Sequence, residues 1–499
     1  MSLSIVNSRA KLGLSAPLVA VEVHLSNGLP AFNIVGLPET AVKESKDRVR
    51  SAIINSKFEF PNRRITVNLA PAELPKGGSR FDLAIAIGIL AASKQIPKES
   101  LEDYEFIGEL ALSGDLRGIE AILPSVIACA SADKQLIISQ QNADEACLVE
   151  SINLLTAEHL LEVTAHLNQS KSLDPWITKS THRSAPSPEI NEVIGQKQAK
   201  RALEIAACGG HHLLMYGPPG TGKSMLAARL PGILPSMTNQ EALQVACVHS
   251  IAHKKTNKDL LRRPFRSPHH SASATAIVGG GSSPQPGEIS LAHQGILFLD
   301  ELPEFHRSVL EMLREPLESG EIHISRAAAQ LPFPAKFQLI AAMNPCPCGY
   351  KGSERCNCSA EKIARYQSKI SGPILDRIDL HIPVNNIENK QLFQANKHLE
   401  GDSNQKIIQR VNQARVLQMA RQGTVNARLD NQQLKKVCPL NTEQQDFLDR
   451  AINSYKLSTR SFHRLLKVAR SIADLAGQET PDISAYQEAL SYRNQFTAG

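Results

Sequence analysis

Gly217 to Ser224 reads GPPGTGKS, a run whose residue types and spacing suit an anionic, phosphate-bearing ligand. Glycines at 217, 220 and 222, with Pro218, Pro219 and Thr221 between them, let backbone N–H groups turn inward. Lys223 then reaches β- and γ-phosphates, and the Ser224 hydroxyl is offered to Mg2+. The run follows an expected strand, Leu213 to Tyr216, and precedes an expected helix, Met225 to Leu230. That helix start adds the positive end of its dipole. ATP and Mg2+ are therefore the expected cofactors.

Further on, GILFLDE (295 to 301) has four apolar residues in a row ending in two acids. Such a run suits a buried parallel strand, and α/β sheets bind ligands at the carboxyl ends of their strands. Asp300 is expected to hold the hydrated Mg2+ and Glu301 to polarise an attacking water. AAMNPC repeats the pattern, with a strand from Leu339 to Met343 and Asn344 at its tip to orient that water. GPILDRIDL sets Arg377 between Asp376 and Asp379. It reads either as a salt-bridged surface arginine or as an arginine finger reaching a neighbouring subunit, the latter being worth roughly 10³ to 10⁵ in rate in GTPases. The finger reading requires a homo-oligomer.

Of nine cysteines, five are scattered and four cluster at Cys346, Cys348, Cys356 and Cys358. Two C-x-C pairs on a glycine-containing loop can close tetrahedrally on a structural Zn2+, or remain free thiols. His269 and His270, read as neighbours in an extended segment, point to opposite faces and do not share a metal. The stretch 264 to 287 is glycine- and serine-rich and is expected to project as a loop. A second candidate loop spans 320 to 338, with Ile322–Ser325 and Lys336–Leu339 flanking a hairpin and Arg326 near its tip. His269, His270 and Arg326 are the DNA-contact candidates, with a structural or protein-facing role as the alternative.

The elements that must position these residues fall into an α/β pattern. The first 167 residues alternate strands (Val19 to Val23, Ile65 to Leu69, Leu136 to Ser139) with helices (Glu39 to Ser56, Asp82 to Ala92). Residues 168 to 189 read as a linker carrying Trp176, residues 190 to 390 as the α/β core, and residues 391 to 499 as a helical domain. At 499 residues, 42% apolar and 21% charged, the chain is expected to be globular and multi-domain. No membrane span or signal peptide is legible, so a cytoplasmic location is expected. The net charge of +6 is compatible with a nucleic-acid partner without requiring one.

These motifs, in this order, resemble the AAA+ ATPases, and more narrowly the magnesium-chelatase-like branch. Val193-Ile194-Gly195-Gln196 looks like the segment that packs near adenine in that family. RPFRSPHHSASATAIVGGG (263 to 281) and PGEISLAHQGILFLDELPEF (286 to 305) are close to family signatures. STRSFHRLLKVARSIADL (458 to 475) is similar to the family's lid, which implies a sensor-2 role in cis for Arg460. Within the branch the chain is most similar to the ComM/YifB family.

The N-terminal stretch is similar to the proteolytic domain of Lon, a fold shared with ribosomal-protein-S5-type domains, through LPKGGSRFDLAIAIGIL and FIGELALSGDLRGIEAILPSV. Arg80 and Leu123 stand where Lon needs its serine and lysine, so no proteolysis is expected. The fold implied is an α/β P-loop AAA+ core with a C-terminal helical lid, preceded by an α/β Lon-protease-like domain. The resemblance further implies a hexameric helicase on single-stranded and branched DNA. Branch migration and integration of incoming DNA in natural transformation, with recombination and competence proteins as partners, follow from it. The alternatives are a protein-remodelling motor and a metal-insertion motor like magnesium chelatase. The latter is set aside here because that subunit is taken to lack a Lon-like domain. A sigma-factor activator would want a GAFTGA-type loop that is not found.

Overall fold

The computed structural model describes residues 2–99, 101–176, 187–252, 261–281, 284–326, 329–386, 401–455 and 457–493, without the side chains of 325, 326, 329 and 330. Residues 177–186 of the expected 168–189 linker and the expected boundary near 390 lie outside the described residues. Two compact units form, one from residues 1–183 with 242–260, the other from 184–241 with 261–499. Among the described residues no helix is long and apolar enough to cross a membrane.

The first unit is built on a seven-stranded sheet. Its order is Ala31–Val35, Arg64–Ala70, Leu18–Ser26, Ser2–Arg9, Tyr104–Ile107, Gln135–Ser139, Asn153–Ala157. Alternation sets the faces: in LVAVEVHLS, Val19, Val21, Val23 and Leu25 are buried and their neighbours are not. Ser2–Arg9 escapes a reading based on apolar runs because five of its eight residues are Ser, Asn or Arg. The helix Asp82–Ala92, as expected from its sequence, is buried along its whole length. Gly88 lets it lie close on the sheet, since a Cβ there would sit 2.5 Å from Val23 Cγ2. Its buried Asp82 accepts from Arg48 Nε at 2.7 Å and from the Ser45 hydroxyl. The expected 39–56 helix forms as Thr40–Lys43 and Ser45–Asn55, interrupted only at Glu44. Ala246 and Cys247 of the later segment, and partly buried Trp176, join a cluster with Ile107 and Leu154.

The second unit centres on a five-stranded sheet ordered Phe265–Arg266, Ile296–Leu299, Gln338–Met343, Leu213–Tyr216, Leu380–Pro383, all parallel. ILFL and QLIAAM are buried at every position, the pattern of a sheet covered on both faces. Leu213–Tyr216 lies between the last two strands in sequence, so chain connections leave it in opposite directions and open a crevice at its carboxyl end. Past the core, helices Asn404–Gln422, Asn431–Val437, Thr442–Tyr455, Thr459–Leu475 and Ile483–Ser491 form the lid. Buried Asp474 gathers Arg421 (2.8 Å), Arg470 (2.7 Å) and Asn426 (2.8 Å). Ties joining the lid helix Thr459–Leu475 to the core include His211 Nε2 and Ser471 Oγ at 2.7 Å, and Arg464 Nη1 donating to Asp379 at 2.5 Å.

Three local expectations are corrected. The hairpin pairs Glu321–Arg326 with Ala329–Pro334; Gln338–Met343 belongs wholly to the central sheet. Residues 264–287 are not one projecting loop. Ser273 caps a short helix, Ala274–Val278, and Gly279–Gly280 pairs with Gln285–Pro286. Gly279, at φ +108°, permits that pairing, because a Cβ there would meet the Gln285 carbonyl at 2.5 Å. The helix after the glycine-rich turn covers Lys223–Ala227 and becomes 3-10 over Leu230–Ile233, where Pro231 cannot donate into an α-helical ladder.

Two buried histidines make this fold acid-sensitive. His293 accepts from the Lys336 N–H through Nδ1 at 3.1 Å, and His381 lies in the buried strand Leu380–Pro383. Burial pushes both down to about 3. The unfolded chain protonates them near 6.5, so their contribution is complete above that pH and is lost as pH falls toward 3. Each is expected to cost up to about 2 kcal/mol of stability at pH 5. The thermal midpoint should therefore drop between pH 7.5 and pH 5; a flat profile over that range would contradict the reading.

Candidate nucleotide site

The turn after Leu213–Tyr216 is shaped by its glycines. Gly220 and Gly222 take φ of +77° and +87°, where L side chains are strained, while Gly217 meets a different limit. A Cβ at 217 would lie 2.0 Å from the Val384 carbonyl oxygen, so only hydrogen fits. Lys223, at the start of the following helix, is buried, and Nζ donates to the carbonyls of Gly217 and Pro218 at 2.8 Å and to Asn344 Oδ1 at 3.2 Å. Burial lowers its pKa while the charges of Asp300 and Glu301 act the other way. The Ser224 hydroxyl donates to Asp300 Oδ2 at 2.5 Å, and Asp300 Oδ1 accepts from the Glu301 N–H at 2.9 Å.

Asp300 and Glu301 end the Ile296–Leu299 strand, and Asn344 ends Gln338–Met343. Three neighbouring strand ends thus bring Lys223, Ser224, Asp300 and Asn344 into one hydrogen-bonded group, as their spacing suggests. Glu301 sits at φ +52°, an uncommon left-handed conformation for a residue with a side chain. That strain aims a half-exposed carboxylate away from the strand axis, where Oε2 lies 3.2 Å from His270 Nδ1.

His270 is thus found against Glu301. Its ring centroid is 4.1 Å from that of His269, so the two rings lie on one side, contrary to the opposite-face expectation. The reason is local: the strand ends at Arg266, and the histidines occupy the turn beyond it. His269 Nδ1 is satisfied by the Ser271 hydroxyl at 2.7 Å. The side chain of Arg326 lies outside the described residues.

Arg377 and Arg460 meet each other instead of the Lys223 group. Arg377 is 3% exposed; Nη1 donates to the Pro373 carbonyl at 2.7 Å and Nη2 to Glu318. Arg460 Nη2 reaches the same Glu318 oxygen at 3.1 Å from a half-exposed position. Burial lowers the Arg377 pKa, Glu318 opposes this, and Arg460 and Arg314 add repulsion. Among the described hydrogen bonds none joins either arginine to Lys223, Ser224, Asp300 or Asn344. Glu318 carries no sequence signal, being one of two acids on a short helix, Arg314–Ser319.

Gln196, in the segment likened to the adenine-side motif, donates from Nε2 to the Asn385 carbonyl at 2.7 Å. Cys346, Cys348, Cys356 and Cys358 converge, with all four sulfurs within 4.8 Å of one another. In the first unit, Arg80 is buried and donates to the Glu120 carbonyl at 3.1 Å, Leu123 is fully buried, and Ser79 donates to the Glu109 carboxylate.

A parallel sheet in this order, with a glycine-rich turn, an acidic strand end and a helical lid, defines an AAA+ ATPase. The chain belongs to the ComM/YifB family of AAA+ ATPases with magnesium-chelatase-like domains. It is 51% identical over 500 residues to the competence protein ComM of Haemophilus influenzae, covering 99% of this chain and 98% of that protein. It is 49% identical over 499 residues to the uncharacterized protein YifB of Escherichia coli strain K12, covering 99% and 97%. The magnesium-chelatase 38 kDa subunit of Acidiphilium rubrum is 28% identical over 179 residues, covering 31% and 51%.

Three family models match. They are described as magnesium chelatase, subunit ChlI (189–392), subunit ChlI of Mg-chelatase (21–142), and magnesium chelatase, subunit ChlI C-terminal (401–493). The second falls on the N-terminal unit, so possession of that unit does not set this chain apart from the chelatase family, as the sequence reading supposed.

His270 Nδ1 lies 3.2 Å from the Glu301 carboxylate, and its removal should let that carboxylate wander. His270→Ala is expected to lower basal ATP turnover roughly 10- to 100-fold while nucleotide affinity stays near wild type. Unchanged turnover would show that the pair is incidental.

Proposed function

We propose that the chain is an ATP-driven ring motor whose hydrolytic site is completed by a neighbouring copy and whose cargo is DNA. The observation carrying this reading is the division of charged groups. Lys223, Ser224, Asp300 and Asn344 form one hydrogen-bonded group, while Arg377 and Arg460 share Glu318 outside it. Backbone amides of 217–224 and Lys223 bind the phosphates. Ser224 and Asp300, oxygen donors already in contact, fit a Mg2+ that keeps several waters; it would neutralise phosphate charge. Glu301 takes a proton from the attacking water, which the Asn344 amide orients.

The two arginines, joined on one carboxylate, act as a pair presented to the adjoining protomer. This revises the cis role that resemblance suggested for Arg460. Because a finger must cross a boundary, the assembly is a closed homo-oligomer, a hexamer in this proposal. Proteolysis forms no part of the function, given a buried arginine at 80 and a buried leucine at 123.

The DNA reading draws on the likeness to a protein named for competence, with branch migration of recombination intermediates as the activity. His269, His270 and Arg326 are its contact candidates. The second reading, metal insertion or protein remodelling, is favoured by the descriptions of all three matching family models. ATP-dependent unwinding of three- and four-stranded junctions separates them, with Lys223→Ala as control. The DNA reading expects unwinding and several-fold stimulation of ATPase by DNA, both abolished by the control. ATPase that ignores DNA, with no unwinding, would leave the remodelling reading.

A further inference from the structure

The four-cysteine loop lies directly beside the glycine-rich turn. Sulfur separations are 3.4 Å (Cys346 to Cys348), 3.7 Å (Cys348 to Cys356) and 3.8 Å (Cys346 to Cys356). A disulfide needs about 2.05 Å. A tetrahedron of thiolates about 2.3 Å from Zn2+ has edges of roughly 3.8 Å, close to the separations found. Backbone N–H groups support the donor atoms: those of Gly349 and Lys351 face Cys346 Sγ, and those of Tyr350 and Asn357 face Cys348 Sγ.

The same loop touches the nucleotide turn at two places. Gly349, at φ +84°, packs so closely on Pro219 that a Cβ there would lie 2.6 Å from Pro219 Cδ. Asn344, which accepts from Lys223 Nζ at 3.2 Å, stands two residues before Cys346. The intervening Pro345 carbonyl is held by Gln367 Nε2 at 3.0 Å.

We propose that Cys346, Cys348, Cys356 and Cys358 bind one structural Zn2+ that braces the ATP-binding turn, so that nucleotide affinity depends on the metal. The inference rests on the nucleotide-site reading for its second half only. Zinc pins both ends of the 346–358 loop, which fixes Gly349 under Pro219 and Asn344 beside Lys223. Without the metal nothing joins the two Cys-x-Cys pairs, and the loop is free to open away from Pro219. The turn then loses its support on that side.

Elemental analysis of the purified full chain, with titration of a fluorescent ATP analogue, tests both halves. One zinc per chain is expected. The double variant Cys356→Ser/Cys358→Ser should lose the zinc and bind the analogue roughly tenfold more weakly, with its melting midpoint recorded to show that it still folds. Cys356→His, which keeps a zinc donor, should retain both metal and affinity, and Cys129→Ser, outside the cluster, should change neither. Wild-type protein without zinc, or a double variant that keeps it, would overturn the site. Loss of zinc with unchanged affinity would overturn the coupling. Zinc-loaded wild type that binds no nucleotide would instead refute the ATP-site reading and the coupling that depends on it.

Discussion

The organising constraint is a single ammonium group. Lys223 is buried at the carboxyl edge of a parallel sheet, and its three hydrogen-bond acceptors, two carbonyls and an amide oxygen, are all neutral. Burial disfavours its charge, and Asp300 and Glu301 support that charge from a distance. A cation so placed is stabilised most by an anion that arrives among inward-facing amides. Two neighbouring features follow: Gly217 because the Val384 carbonyl leaves no room, Asp300 and Asn344 because adjacent parallel strands end at the same edge of the sheet.

The site is tied to the lid by buried polar contacts more than by loop contact. His211, two residues before Leu213–Tyr216, meets Ser471 on the lid helix, and Asp379, just before Leu380–Pro383, meets Arg464. Burial works against the Asp379 charge, yet Arg464 and His211 hold its carboxyl well below the usual range. Breaking such a buried pair by removing one partner is costly, so these contacts hold the lid helix against the sheet. Arg460 lies on that same helix, four residues before Arg464, so lid position and the Arg460–Glu318–Arg377 group are mechanically linked.

Much of the nucleotide site was legible because its chemistry demands particular residues at fixed spacing. GPPGTGKS, the strand Leu213–Tyr216 and the acids after ILFL stand in the structure as read. Long apolar runs were equally clear, as with Asp82–Ala92. What stayed hidden depends on tertiary placement. Nothing in an isolated Glu318 marks it as the anchor of two arginines, and nothing in HH marks His270 as the neighbour of Glu301. The structured 264–287 stretch was misread as an open loop because glycine also serves close backbone pairing, as at Gly279. Strand Ser2–Arg9 gives no apolar signal because three of its four buried residues, Ser4, Ser8 and Arg9, are polar while Leu3 and Ile5 are exposed.

The account turns on one claim: Lys223 and the Arg377–Arg460 pair serve the same ATP from different copies of the chain. Mixing Lys223→Ala protein with an Arg377→Ala/Arg460→Ala variant tests it directly, each being nearly inactive alone. Random co-assembly in a ring pairs an intact loop with intact arginines at about a quarter of the interfaces, so ATP turnover should recover to about that fraction of wild type. A mixture no more active than its components, once shown to co-assemble, would contradict the claim, as would an arginine variant that hydrolyses ATP at the full rate.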